Sequence, residues 1–243
     1  MNRQYYERNG KTMLDSFKKN WECPIRVYSE EKIDFEDNLK VKQYDLFELE
    51  PECKAFVERH KDRGDQQNPL ELHRGAVRFA YKTFSIFNAV TNAPGDYVVW
   101  IDADTYTHTP FNNDIIRSLI EPDCLASYLG RENNYSECGF VIYNTQHPRF
   151  YDFISSWKML YLDDSLFNLE QWHDSFVFDQ VRKAYEQQGV KFKNITPEGK
   201  DYDHVFINSV LGDYMDHMKG PRKNEGKSRK SDLYTKKSSE YWN

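Results

Sequence analysis

The stretch Tyr97-Val-Val-Trp-Ile-Asp-Ala-Asp-Thr105 decides how this 243-residue chain is read. The breaker Asn92-Ala-Pro-Gly95 precedes it, an almost unbroken apolar run follows, and that run ends directly on two carboxylates. A strand apolar on both faces predicts cover by helices on both sides, as for a central parallel strand of an α/β sheet. Asp102 and Asp104 stand two positions apart at its end, so they project to the same side. Oxygen ligands at that spacing suit a hard divalent ion, Mn²⁺ or Mg²⁺, that also holds phosphate oxygens. Turn caps or solvated carboxylates are the plainer reading of an isolated Asp-x-Asp.

Working outward, the pattern predicts helices over residues 9–19, 50–60, 74–90, 147–161 and 171–187. The apolar face of the third is set by Ala76, Val77, Ala80, Phe84 and Phe87. Strands are expected at 25–28, 41–47, 124–129, 140–143, 191–195, 205–207 and 214–217, and a loop at 61–68. This alternation indicates an α/β, Rossmann-like single domain with a mostly parallel central sheet flanked by helices. Ligands of such sheets bind beyond the carboxyl ends of the strands, which is where Asp102 and Asp104 lie.

The bulk numbers agree with an enzyme-sized domain. Aromatics reach 16 % of the chain, enough for a ring-rich core or for stacking on sugars. No apolar run reaches the roughly 20 residues of a membrane helix, and no secretory segment opens the chain, so a cytoplasmic location is expected. Cys23, Cys53, Cys124 and Cys138 lack zinc spacing and read as reduced thiols. From Lys219 to Lys237 eight Lys/Arg face only Glu225 and Asp232, a surplus of +6 that leaves −12 on the rest of a chain of net charge −6. An acidic body argues against a nucleic-acid surface, and a basic end suits an anionic small ligand. Residues 1–223 are read as the domain and 224–243 as a basic, solvated tail.

Trp100-Ile-Asp-Ala-Asp-Thr105 resembles the DxD segment of GT-A glycosyltransferases, in the form found in the glycogenin-like retaining families. His217-Met-Lys-Gly-Pro-Arg-Lys223 resembles the His-x-x-Gly-x-x-Lys element of the same families, although Asn224-Glu225 follows where relatives carry Pro-Trp. The resemblance covers about residues 5 to 223. It implies a GT-A fold and a nucleotide-diphosphate sugar as donor, with a metal held by Asp102, Asp104 and His217. It also implies that Gly220 lets the backbone approach the diphosphate and that Lys223 pairs with it; Arg222 adds a further cation. Glu137-Cys-Gly-Phe140, with Gly139, resembles the strand beneath the donor sugar, and Glu137 introduces a carboxylate there. Asp174, in Trp172-His-Asp-Ser175, matches the sugar-contacting aspartate of relatives; a helix cap is its plainer role. Lys82, four residues after Arg78, is the candidate donor-binding cation of the preceding helix.

These matches imply metal-dependent sugar transfer with retention of configuration. The acceptor is left open among a glycan, a lipid-linked glycan, a protein and a modified base, with Trp157, Tyr161 and Trp172 as possible stacking rings. A sugar-phosphate nucleotidyltransferase is a rival, but no N-terminal Gly-rich phosphate loop is seen. A catalytically silent nucleotide- or glycan-binding relative is the other. One part of the fold is expected to be missing. Tyr5 to Phe17 already reads as the loop and helix that follow a GT-A first strand, and Met1 to Gln4 are too few and too polar to supply that strand.

Overall fold

The strand Glu137–Asn144, between two neighbours in the central sheet, is buried along its whole length. Its Phe140 and Ile142 enter one apolar cluster, while Val141 and Tyr143 enter the other, as alternation along a strand requires. The computed structural model describes residues 1–35, 40–63, 75–197 and 204–243. The strands, in chain order, are β1 (Ile25–Ser29), β2 (Val41–Asp45), β3 (Tyr97–Ile101), β4 (Thr105–Thr107), β5 (Cys124–Leu129), β6 (Glu137–Asn144), β7 (Lys191–Asn194) and β8 (Met215–His217). The longer helices are α1 (Lys11–Asn20), α2 (Pro51–Arg59), α3 (Ala76–Asn92), α4 (Phe150–Leu162) and α5 (Asp174–Glu186).

The result is a mixed α/β domain with a central sheet of order β3-β6-β5-β7, flanked by helices. On one face α2, α3, α4 and α5 supply Phe56, Phe84, Trp157 and Val177 to a common core. On the other, α1 supplies Met13, Leu14 and Phe17, which pack with Val205, Phe206 and Ile207. Helix α3 forms as its apolar spacing predicts and stops at Asn92, before Ala93-Pro94. Its expected start at Arg74 lies outside the described residues, as does the expected loop from residue 64 to 68; residues 61–63 form a short 3₁₀ turn.

The expectation of a mostly parallel sheet is corrected. β6 runs antiparallel to both β3 and β5, and only β5 and β7 are parallel within this sheet. The link from β5 to β6 is residues 130–136, shorter than the dozen or so residues that a parallel crossover needs. A parallel pair, β1-β2, lies apart from the main sheet, and β4-β8 is a separate antiparallel pair. β3 is only half-buried, because the side turned toward β1 opens into a cleft of about 1420 Å³.

Two further readings change. Val205–Asn208 is a helical turn rather than a strand, and all four residues are buried. An apolar run this short has no periodicity that separates the two states. The segment after Asn224, expected as a solvated tail, is docked on the domain. Trp242 is 4 % exposed and donates from Nε1 to the Gly212 carbonyl at 2.6 Å. Tyr241 donates its hydroxyl to Asp216 Oδ2 at 2.8 Å, and Asn208 Oδ1 accepts the Tyr234 N–H. Among the described residues no helix is long and apolar enough to cross a membrane.

His108 holds the end of that segment. Its ring stacks on Tyr241 with centroids 4.2 Å apart, and its Nδ1 lies 3.0 Å from Ser239 Oγ. Nε2 is buried without a hydrogen-bond partner, and burial pushes the ring's pKa from 6.5 down to about 4. The folded ring therefore binds its proton less tightly than the unfolded one, so its contribution to stability is full above pH 6.5 and is lost as pH falls toward 4. Melting temperature should decline over that window, and His108→Phe, which keeps the stack, should flatten the decline. Coincident slopes for the two proteins would show that His108 carries none of it.

Candidate active site

The site lies where β3 ends. Asp102 follows the strand directly, its N–H donating to the Gly139 carbonyl on β6 at 2.9 Å, and the turn that follows leads into β4. β4 pairs with β8 so that Thr105 faces His217 across the ladder, while Met218 donates to the Asp104 carbonyl at 3.0 Å. This pairing brings together residues more than a hundred positions apart. His217 Nε2 stands 3.1 Å from Asp104 Oδ1 and 3.8 Å from Asp102 Oδ2. Ligand atoms of the three residues lie within 4.8 Å of one another.

That set fits a divalent ion in chemistry as well as spacing: two carboxylate oxygens and an imidazole nitrogen. On the far side of the ring Nδ1 is buried without a hydrogen-bond partner, with Glu137 Oε1 near it at 3.6 Å. Gly139 is required by this arrangement. A Cβ placed there would meet His217 Cε1 at 2.6 Å, so glycine leaves the ring its space.

Cations hold the acids. Lys82 Nζ reaches Asp102 Oδ1 at 2.8 Å, Asp174 Oδ2 at 2.7 Å and the Cys138 carbonyl at 2.8 Å. Burial opposes its charge, but Asp102 and Asp174 outweigh burial and hold its pKa above the ordinary value. Lys223 Nζ reaches Asp104 Oδ2 at 2.6 Å. Burial would raise the Asp104 pKa; His217 and Lys223 overcome it and hold the carboxyl well below the usual range. For His217 burial works against protonation, and the two aspartates raise its pKa nonetheless. Trp100 donates from Nε1 to Asp102 Oδ1 at 2.7 Å, fixing that carboxylate from a third direction.

The cleft is lined by Lys82, Asp102, Asp104, Glu137, Gly139, Asp174, His217, Gly220 and Lys223 among the expected residues. Arg222 is turned away: its Nε donates to Asp232 Oδ2 at 2.6 Å in the docked C-terminal segment. Asp174 does not cap its helix, because His173 accepts the Phe176 N–H and Asp174 is the first helical residue. Glu137 is an ion-pair partner, held by Lys219 and by the Gly139 N–H at 3.2 Å. Gly220 has φ +54°, a left-handed turn that suits glycine. Trp157 and Tyr161 are buried in the core and present no stacking surface, and Trp172 packs edge-on against Phe167. Among the lining residues that were not anticipated are Lys219 and Tyr5. Lys219 was hidden in a charge run, and Tyr5, 3.3 Å from Lys223 Nζ, gave no local signal.

No family model and no curated protein matches the chain. Among solved structures it is similar to mouse xyloside xylosyltransferase 1 in its apo form, at 13 % identity and TM-score 0.44, over 78 % of this chain and 79 % of that one. It is also similar to a glycosyltransferase involved in glycosylation of the major capsid of PBCV-1, at 19 % identity and TM-score 0.39, over 74 % and 92 % of the two chains.

Removing Lys82 leaves two acids without their cation in a largely buried place. Lys82→Met should therefore cost about 3–5 kcal/mol of unfolding free energy, read from urea denaturation. Adding Asp174→Asn to that variant should recover part of the loss. A cost under about 1 kcal/mol would mean that water serves these acids equally well.

Proposed function

We propose that this chain is a metal-dependent glycosyltransferase that moves a sugar from a nucleotide-diphosphate donor to an acceptor hydroxyl, with retention of configuration. The observation that carries the reading is the convergence of Asp102, Asp104 and His217 beside Lys82 and Lys223 at the mouth of the cleft. Carboxylates and an imidazole to hold a metal, next to lysines for phosphate, are what a diphosphate leaving group requires.

In this reading Asp102, Asp104 and His217 hold Mn²⁺ or Mg²⁺. When bound, such an ion supplies Lewis-acid neutralisation of charge on the diphosphate oxygens. Lys223, on the segment closing over the site, gives its ammonium to the diphosphate, and the left-handed turn at Gly220 lets the backbone come near it. Asp174, held by Lys82, orients the donor sugar through its hydroxyls. Glu137 acts through others: it pairs with Lys219 and accepts the Gly139 N–H, and so is a positioning residue. The acceptor oxygen bonds to the anomeric carbon as the carbon–oxygen bond to phosphate breaks, and the acceptor proton passes to the departing phosphate oxygen. Bond and proton counts close without a protein base, which suits a site whose carboxylates are already engaged.

A panel of nucleotide sugars, with free sugar detected by mass spectrometry, tests the first half, because donor hydrolysis needs no acceptor. Hydrolysis should require Mn²⁺ or Mg²⁺ and fall on the order of 10²-fold or more in Asp104→Ala. Nucleoside diphosphates should bind appreciably only together with the metal. Undiminished turnover in EDTA would remove the metal from the reading.

Stereochemistry tests the second half. NMR of the first-formed glycoside should show the donor's anomeric configuration, and Asp174→Asn should lower turnover per folded molecule. An inverted linkage would rule out the same-face route.

A further inference from the structure

The segment that carries Lys223 into the cleft is a short helix, Arg222–Glu225, set between two glycines. Gly220 and Gly226 have φ of +54° and +72°, and a Cβ at either would meet nothing within 4 Å. Backbone conformation, not crowding, is therefore what calls for glycine at both ends. The Gly226 N–H closes the helix on the Arg222 carbonyl at 2.9 Å. A single turn of this kind has little stability of its own, so contacts from outside must hold it.

Neighbouring residues of the turn are held by different parts of the molecule. Lys223 points inward, to Asp104 at 2.6 Å and to the Tyr5 hydroxyl at 3.3 Å. Arg222, about 100° around the helix, does not line the cleft and points to the docked C-terminal segment. Its Nε donates to Asp232 Oδ2 at 2.6 Å and its Nη2 to Asp232 Oδ1, a fork that fixes direction as well as distance. Asp232 is firmly seated in turn. Its Oδ2 also accepts the Arg229 N–H at 2.8 Å, and its carbonyl accepts from Asn208 Nδ2 at 2.9 Å. Asn208 is 1 % exposed and takes the Tyr234 and Thr235 N–H groups on its Oδ1. The Asp232 side chain is 11 % exposed, and Arg222 holds its carboxyl down at about 2, so the pair is ionised at neutral pH. Exposed ion pairs are usually worth little, but a bidentate one that is mostly covered is a better anchor.

We propose that Arg222 and Asp232 are a positioning pair, through which the docked C-terminal segment holds the turn Arg222–Glu225 so that the Lys223 ammonium stands at the mouth of the cleft. The two sides of the turn differ in what they can release. Lys223 has a flexible stem and a single ammonium, which passes readily from one anion to another. Arg222 is bound through a fork and leaves only with the loss of two bonds. The inward contact is thus the exchangeable one, and the outward contact fixes the point from which it exchanges. An ammonium whose backbone is already held loses less freedom on meeting an anion, which is how preorganisation raises affinity. That this anion is a diphosphate rests on the sugar-transfer reading; the anchoring itself does not.

Asp232→Asn keeps the size of the side chain and removes its charge. In the free protein, amide exchange at Asn224 and Gly226 should quicken about tenfold or more, with exchange at Phe140 and Ile142 on β6 unchanged. With Mn²⁺ present, affinity for uridine or guanosine diphosphate should fall about tenfold in Asp232→Asn, but by less than about twofold when the same change is made in Lys223→Met. Arg222→Gln, which leaves Asp232 its bond from the Arg229 N–H, should reproduce both effects. It is the deciding variant if Asp232→Asn also releases Trp242. An equal fall in affinity in both backgrounds would mean that Asp232 acts on binding by a route other than Lys223, and would overturn the positioning role. Unchanged exchange at the turn would overturn the anchor itself. If the unaltered protein takes up neither nucleotide with Mn²⁺, the sugar-transfer reading fails, and exchange at the turn still decides whether Asp232 anchors it.

Discussion

The ammonium of Lys82 is the point on which this structure turns. It is 14 % exposed and touches Asp102 at the end of β3, Asp174 at the start of α5 and the Cys138 carbonyl on β6, while standing on α3. One cation thus fixes the mutual position of four elements. A charge so placed is tolerable only with its partners in reach, because leaving it or them unpaired costs several kcal/mol. The acids of the site are consequently part of what holds the helices against the sheet. Chemistry and stability make demands on the same atoms here, and substitutions at Asp102 or Asp174 act on both.

β8 completes the site by a different route. Three residues pair with β4, and alternation sends their side chains to opposite faces. His217 points to Asp104 and Asp102, whereas Asp216, fully buried, accepts from the Ser228 N–H at 2.7 Å and from the Tyr241 hydroxyl. The strand is therefore shared between the candidate site and the docked C-terminal segment. This explains where the basic surplus after residue 218 goes. Lys219 and Lys223 enter the cleft, whereas Arg222 binds Asp232, Arg229 binds Glu225 and Lys227 binds the Tyr241 carbonyl. Most of that charge is used inside the fold and does not form a free cationic surface.

What could be read in the sequence was whatever short-range pattern determines. The apolar run into Asp102-Ala-Asp104 located both β3 and its acids, because a strand's period places i and i+2 on one side. The long helices α3, α4 and α5 were legible from their apolar faces. Strand direction was not, since it depends on the brevity of the 130–136 link and on which edges meet, neither of which leaves a mark in composition. Val205–Asn208 misled because buried helix and buried strand look alike over four residues. The C-terminal segment misled because charge runs usually face water, and only the placement of Trp242, Tyr241 and Asp232 decides otherwise. Glu137 was visible as an unexpected carboxylate beside Gly139, but its tie to Lys219 is a tertiary fact.

The charge inventory of the site bears on how a donor would be received. Asp102, Asp104, Glu137 and Asp174 face Lys82, Lys219, Lys223 and His217, and Arg78 and Arg131 also line the cleft. An anion arriving alone finds each lysine already committed to a carboxylate, and drawing one away strips a largely buried acid of its partner. A divalent ion arriving alone meets Lys223 against Asp104, and displacing that ammonium leaves it without a counter-charge. With both present, Asp104 would hold the ion and Lys223 would be released to pair with the phosphate. Metal and nucleotide diphosphate are therefore thermodynamically linked in the proposed reading, each raising the affinity for the other. The linkage arises from the site's own ion pairs, above all that of Lys223 with Asp104.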